Sequence, residues 1–228
     1  MSAPPNPLVV ALDTSDLEAA VALTEAVSGE VGMVKVGLEL FTAAGPSSVS
    51  RIAERAPVFL DLKLHDIPTT AGRAARNAGR LGAAMLTVHA LGGPEMVRAA
   101  VDGAAEGAGE AGTTAPDVVA VTVLSSLAEA AGASPASLAF EAVTAGARGA
   151  VVSGDDVKVV REALGEDPIL VVPGIRPSGA RSNDHARVLT PVEAMEAGAD
   201  RLVVGRPITE STDPAAAARA ILQEIGRR

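Results

Sequence analysis

Apolar residues along this chain fall into short blocks of about five to eight, far below the roughly 18 that a membrane span requires. The blocks are LVVAL (8–12), VGMVKV (31–36), PVFLDLK (57–63), AMLTVH (84–89), DVVAVTVL (117–124), GAVVS (149–153), PILVVP (168–173) and RLVVG (201–205). Val, Ile and Leu dominate them, and stretches rich in Ala, Glu and Arg separate them. That alternation predicts repeated strand–helix units around a parallel sheet. Helix starts carry their own signals. Ser15 to Glu18 reads as a capping box, Thr190-Pro-Val-Glu193 joins a cap residue to Pro and Glu in the first turn, and Asp213-Pro214 repeats the cap-plus-Pro pattern. Eight such units in 228 residues predict an α/β fold, a (β/α)8 TIM barrel forming one domain over 1–228. An open doubly wound sheet is the alternative, and no G-x-G-x-x-G follows the first block to support its dinucleotide-binding form.

Three segments depart from the rhythm. Residues 1–7, MSAPPNP, read as a flexible N-terminus with no basic or apolar export signal. Residues 102–117 are rich in Gly, Ala and Thr and read as a helix end running into a flexible surface connection. Residues 174–189 form a βα connection longer than the usual few residues, and long loops on that face of a barrel are often lids.

Composition narrows the partners. The net charge of −9, without a Lys/Arg cluster long enough to follow a phosphate backbone, argues against nucleic acid. Trp and Tyr are absent and Phe occurs only at Phe41, Phe59 and Phe140, so a planar ligand would be held by hydrogen bonds and aliphatic walls. Mean hydropathy is +0.29, yet the short blocks predict a soluble protein with no membrane partner. With zero Cys there is no disulfide framework and no thiolate nucleophile, which fits a cytoplasmic location.

The chemistry concentrates where barrel enzymes keep it, at the C-terminal strand ends. Asp13, Lys35, Asp61, Lys63, His89, Ser125, Gly205 and Arg206 all fall there. Within DLKLHDIPTT (61–70), two carboxylates flank one ammonium in six residues. Period-two alternation turns Asp61 and Lys63 inward together and Leu62 and Leu64 toward the helices, with Asp66 just beyond the strand. A solvated ion-pair cluster at the barrel rim is the bland explanation for any one pair. An inward pair with Lys35 one strand away fits it poorly, since buried charge is costly unless paired and clusters at functional sites. The three His and the Asp residues match no familiar metal-ligand spacing, so no metal site is expected.

DLKLHDIPTT, together with VKVGLELF (34–41), TVHALGG (87–93), VTVLSS (121–126), VPGIRPSG (172–179) and VVGRPIT (203–209), resembles the orotidine 5'-monophosphate decarboxylase family from Asp13 to the last helix. The D-x-K-x-x-D-I-P motif is specific here because its flanking motifs stand in order at the right strand ends. Alone it is weaker, since a sugar-phosphate branch of the superfamily uses a similar core with a metal ion. The resemblance implies a cofactor-free loss of carbon dioxide from a pyrimidine nucleotide, with Lys63 protonating C6. It places Asp61 beside the substrate carboxylate, Lys35 in the alternating charge network, and Asp13 with Lys35 at the ribose hydroxyls. It assigns Ser125 to the pyrimidine edge, and Arg206, the Gly205 amide, Arg176 and the 174–189 loop to the 5'-phosphate. Asp66, Ile67 and Thr70 would enter a second subunit's site, which implies a homodimer with two shared sites.

Two positions depart from the family pattern. His185 stands where Gln is usual and is expected to contact phosphate or loop, and Ser125 replaces a common Thr while keeping the hydroxyl. His65 reads as structural and His89 as a supporting group. The rival readings are a metal-dependent sugar-phosphate decarboxylase or aldolase, a phosphate-ligand binding barrel without catalysis, and a purely structural barrel. The last leaves the converging polar residues unexplained.

Overall fold

Eight short strands, apolar on both faces, close on one another because each must bury an inner and an outer surface. The computed structural model describes residues 5–122, 134–177 and 189–226. The strands are β1 (Leu8–Ala11), β2 (Met33–Gly37), β3 (Val58–Leu64), β4 (Met85–His89), β5 (Asp117–Val121), β6 (Gly149–Val151), β7 (Ile169–Val172) and β8 (Arg201–Val204). All neighbours pair in parallel, and β8 returns to β1 to complete a closed barrel in sequence order. The barrel lumen is filled by Val9, Ala11, Phe59, Met85, Val119, Val171 and Val203. Alternate residues such as Val10, Val36, Leu60 and Leu86 face outward into the larger core shared with the helices. The predicted (β/α)8 barrel is the observed one, with strand ends shifted by one or two residues in most cases.

The helices are α1 (Leu17–Val27), α2 (Leu38–Ala44), α3 (Pro46–Ala53), α4 (Pro68–Arg80), α5 (Gly93–Ala111), α6 (Pro135–Thr144), α7 (Val157–Leu164), α8 (Pro191–Glu196), α9 (Arg206–Thr209) and α10 (Pro214–Glu224). The cap expected at Thr190 forms, and the structure adds a full capping box to it, with Thr190 N–H donating to Glu193 at 2.8 Å and Glu193 N–H donating back to the Thr190 hydroxyl at 3.2 Å. Asp213 caps α10 through Ala216 N–H. The first box is displaced by one residue. Asp16 is the cap of α1, its carboxylate accepting from Glu18 and Ala19 N–H at 2.9 and 3.1 Å. With Asp16 as the cap, Glu18 falls one position short of the box geometry, and its carboxylate meets the Arg51 guanidinium.

The Gly/Ala-rich run is a second correction. Helix α5 continues through it to Ala111, and only 112–116 connect to β5. Its glycines are packing residues. A Cβ at Gly103 or Gly107 would overlap the carbonyl oxygens of Gly72 and Arg76 on α4. The two backbones therefore approach more closely than larger side chains would permit. This fixes α4, whose first turn follows the Asp66–Ile67 segment.

Asn6 and Pro7, within the segment expected to be flexible, are bonded to the base of the barrel. Asn6 donates to Glu30 O at 3.0 Å and accepts from Leu8 N–H, while Pro7 O accepts from Leu202 N–H. Among the described residues no helix is long and apolar enough to cross a membrane.

Candidate active site

At the C-terminal mouth of the barrel, β1, β2 and β3 deliver four charged side chains in alternating sign. Lys35 Nζ lies 3.4 Å from Asp13 Oδ1 and 3.6 Å from Asp61 Oδ2. Lys63 Nζ lies 2.8 Å from both Asp61 oxygens. The Asp61 and Lys35 side chains are 12% and 13% exposed, so the centre of this chain is largely out of water. Desolvating such charges costs several kcal/mol each. Here each is offset by an opposite neighbour, and the arrangement gathers Asp13, Lys35, Asp61 and Lys63 as the sequence predicts.

The route to that arrangement was not visible in the sequence. Strands β3 and β4 pair at Leu60↔Leu86 and next at Leu64↔Val88, so β3 carries two extra residues. Because the insertion is even, Asp61 and Lys63 stay on the inner side, and Leu62 and Leu64 pack toward the helices. Lys63 takes φ +50°, and among the described residues it is the non-glycine residue with positive φ. Such a conformation costs roughly 1–3 kcal/mol and persists where the surroundings enforce it. Thr87, fully buried on β4, supplies the enforcement: its hydroxyl accepts from Lys63 N–H at 2.8 Å and donates to Asp61 Oδ1 at 3.0 Å. Sequence reasoning passed over Thr87. The available signal was a hydroxyl at an inward position of the strand MLTVH, between Met85 and His89.

A cavity of about 180 Å³ opens beside this pair. Lys35, Asp61 and Lys63 form one side, and Val121, Val151, Val171 and Val203 form aliphatic walls. Charge meets an apolar lining here, the setting in which fixed dipoles and ions act most strongly. Ser153 and Pro173, not singled out from sequence, also line it. Gly37 stands next to Lys35, and a Cβ there would lie 3.2 Å from Lys35 Nζ. A second, more open cavity of about 670 Å³ is lined by Asp13, Thr14, Arg206 and Thr209. It joins the end of β1 to α9, where Gly205 precedes Arg206.

Other predicted residues are not drawn into the cluster. Asp66 is exposed and accepts its own neighbour's Ile67 N–H at 2.7 Å, and Ile67 is 66% exposed. Thr70 is exposed in the first turn of α4. Arg176 is half-buried, its N–H donating to Leu189 O at 3.1 Å across the base of the long connection. Ser125, His185 and most of the 174–189 loop lie outside the described residues. Among the described residues no group of three or more His, Asp or Glu is arranged to hold a metal ion.

His89 is buried on β4 and its ring stacks on His65, with centroids 5.1 Å apart and planes at 26°. Burial lowers its pKa from 6.5, and the nearby His65 and Lys63 add to the shift. The unfolded chain therefore takes up a proton near pH 6.5 while the folded protein resists it. Stability is full above that pH and falls as the pH drops through the lowered folded value. Urea midpoints taken at pH 7.5 and 5.5 should show a larger acid loss for the parent than for His89→Gln. Equal losses would place the acid sensitivity elsewhere.

Comparison with known proteins extends the picture beyond geometry. The profile of the Orotidine 5'-phosphate decarboxylase / HUMPS family matches residues 6–221. The chain is 53% identical over 229 residues to orotidine 5'-phosphate decarboxylase of Anaeromyxobacter dehalogenans strain 2CP-1, covering 96% of this chain and 97% of that one. It is 48% identical to the protein of the same name from Paramagnetospirillum magneticum, covering 97% and 99%. Its backbone is similar to the crystal structure of orotidine 5'-phosphate decarboxylase from Lactobacillus acidophilus, with TM-score 0.83, 37% identity and coverage of 96% and 99%. The corresponding structure from Pyrococcus horikoshii OT3 gives TM-score 0.80 at 26% identity, covering 97% and 100%.

Proposed function

The chain belongs to the orotidine 5'-phosphate decarboxylase / HUMPS family, and from that premise we propose that it converts orotidine 5'-monophosphate to UMP by direct loss of carbon dioxide, with Lys63 as the proton donor. The observation that carries this reading is the Lys63 ammonium, held at 2.8 Å by both Asp61 oxygens at the edge of an aliphatic-walled cavity. In the reaction the bond from C6 to the carboxylate breaks, and its electron pair stays on C6 in the ring plane. The π-system delocalises that pair poorly. A cation fixed beside C6 stabilises it, and a proton from Lys63 Nζ then completes UMP. Preorganised charge of this kind is usually the largest catalytic contribution. The step asks for no cofactor.

The remaining roles follow the charge network. Asp61 lies beside the substrate carboxylate, and Lys35 links it to Asp13, which with Lys35 takes the ribose hydroxyls. Arg206 and the Gly205 amide take the 5'-phosphate, supported by the cavity that Asp13 and Arg206 share. Arg176 and His185 assist there, and Ser125 meets the pyrimidine edge.

The working unit in this reading is a homodimer, with Asp66, Ile67 and Thr70 completing the partner's site. Its support is the exposed apolar set around the same mouth: Leu38, Ile67 and Leu91 follow β2, β3 and β4 and are 54%, 66% and 46% exposed.

The test is the conversion of orotidine 5'-monophosphate to UMP by the purified protein with and without EDTA. Equal rates in both support the proposal. Loss of activity in EDTA, or turnover of a sugar phosphate in place of the nucleotide, would favour the metal-dependent branch of the family.

A further inference from the structure

The bulge in β3 sets a problem that one hydroxyl solves. Between Leu60 and Leu64 the ladder to β4 is interrupted, and Lys63 sits there at φ +50°, a conformation that residues bearing a Cβ disfavour. An N–H pulled out of its ladder needs another acceptor. Thr87 Oγ1 accepts it at 2.8 Å. The same oxygen carries the hydroxyl proton toward Asp61 Oδ1 at 3.0 Å, and that carboxylate oxygen also receives Lys63 Nζ at 2.8 Å. The direction of each bond is fixed by chemistry. An amide N–H can only donate and a carboxylate can only accept, so Thr87 must accept from the first and donate to the second. One buried group thus holds both the backbone of Lys63 and the anion that its ammonium faces.

We propose that Thr87 is a positioning residue for the decarboxylation, its hydroxyl clamping the Lys63 backbone and the Asp61 carboxylate so that the ammonium stands where C6 is protonated. This rests on the reading of Lys63 as proton donor. Threonine suits the task because its branched Cβ leaves few χ1 choices on a strand, so the hydroxyl is aimed before substrate arrives. Neither bond reaches the substrate. Loss of the clamp should therefore lower turnover and leave nucleotide affinity, which depends on the ribose and phosphate contacts, nearly as it was.

The test compares Thr87→Val, which keeps the shape and removes the hydroxyl, with Thr87→Ser, which keeps the hydroxyl. Displacement of a reacting group by about 1 Å can cost about 10²-fold, so Thr87→Val should lose about 10- to 100-fold in kcat per folded site, with KM within about threefold. Thr87→Ser should stay within about threefold of the parent in both constants. Amide hydrogen exchange at Lys63 should be faster in the valine variant and unchanged in the serine variant.

Parent-like kcat in Thr87→Val would overturn the proposal, as would an equal loss in Thr87→Ser, which would assign the effect to packing. If Thr87→Val does not fold, Thr87→Ala replaces it, and alanine matching the parent in kcat would likewise overturn it. Lys63→Ala is run alongside. If that variant stays active, the reading of Lys63 fails first. If it is inactive while Thr87→Val is unimpaired, the positioning role alone fails.

Discussion

Lys63→Ala is expected to lower kcat on orotidine 5'-monophosphate by about 10⁴-fold or more, the largest single-site effect in this protein. A positioned general acid contributes about 10²- to 10⁴-fold, and one preorganised electrostatic group about 10²- to 10³-fold. Lys63 supplies both at one atom. The variant should fold, because Asp61 keeps Lys35 at 3.6 Å and Thr87 at 3.0 Å as partners. Activity within tenfold of the parent would remove Lys63 from the chemistry. The same variant tests the shared site. Asp66→Asn alone should also be inactive, yet a mixed dimer holds one site with Lys63 from one subunit and Asp66 from the other, both intact. Random pairing makes half the dimers mixed with one good site in two, so recovery should approach about a quarter of parental activity. No recovery from demonstrated mixed dimers would mean that Asp66 serves its own site or none.

The second large effect is expected at Arg206, and it should depend on the substrate. Truncating one partner of a desolvated charge pair costs about 2–5 kcal/mol, so Arg206→Ala should lose on the order of 10²- to 10³-fold in kcat/KM on the phosphorylated nucleotide. On the nucleoside lacking phosphate the same variant should lose less than about threefold, since no phosphate is present to be held. Phosphate lies far from C6, and binding energy gathered there serves to organise the charged end of the cavity. Arg206 opens α9 on the open cavity it shares with Asp13, away from Lys63. Equal losses on the two substrates would show that Arg206 acts on folding or on the barrel mouth at large.

The elements that could be read without coordinates share one property: their cause is local. A strand buried on both faces must be apolar throughout, so the eight blocks and their order disclosed a closed parallel barrel. The residues at the block ends then disclosed Asp13, Lys35, Asp61 and Lys63 as one group. Caps such as Thr190 and Asp213 depend on three or four neighbouring residues and were equally legible. At α1 two adjacent residues, Ser15 and Asp16, could both cap, and the helix takes Asp16, leaving Glu18 to meet Arg51 from 33 positions away.

The remaining features depend on which distant backbones meet once the barrel closes. The glycines of α5 resembled loop composition until α4 came to rest against them. Asp66 shares a short motif with Lys63, yet it is exposed at a turn because β3 ends between them. Thr87 stands 24 positions from the Lys63 amide it holds, and only the two-residue offset between β3 and β4 brings them together. Period and composition report what each segment buries. Strand register reports what each buried polar group touches, and that is set by packing between segments whose spacing along the chain carries no trace of it.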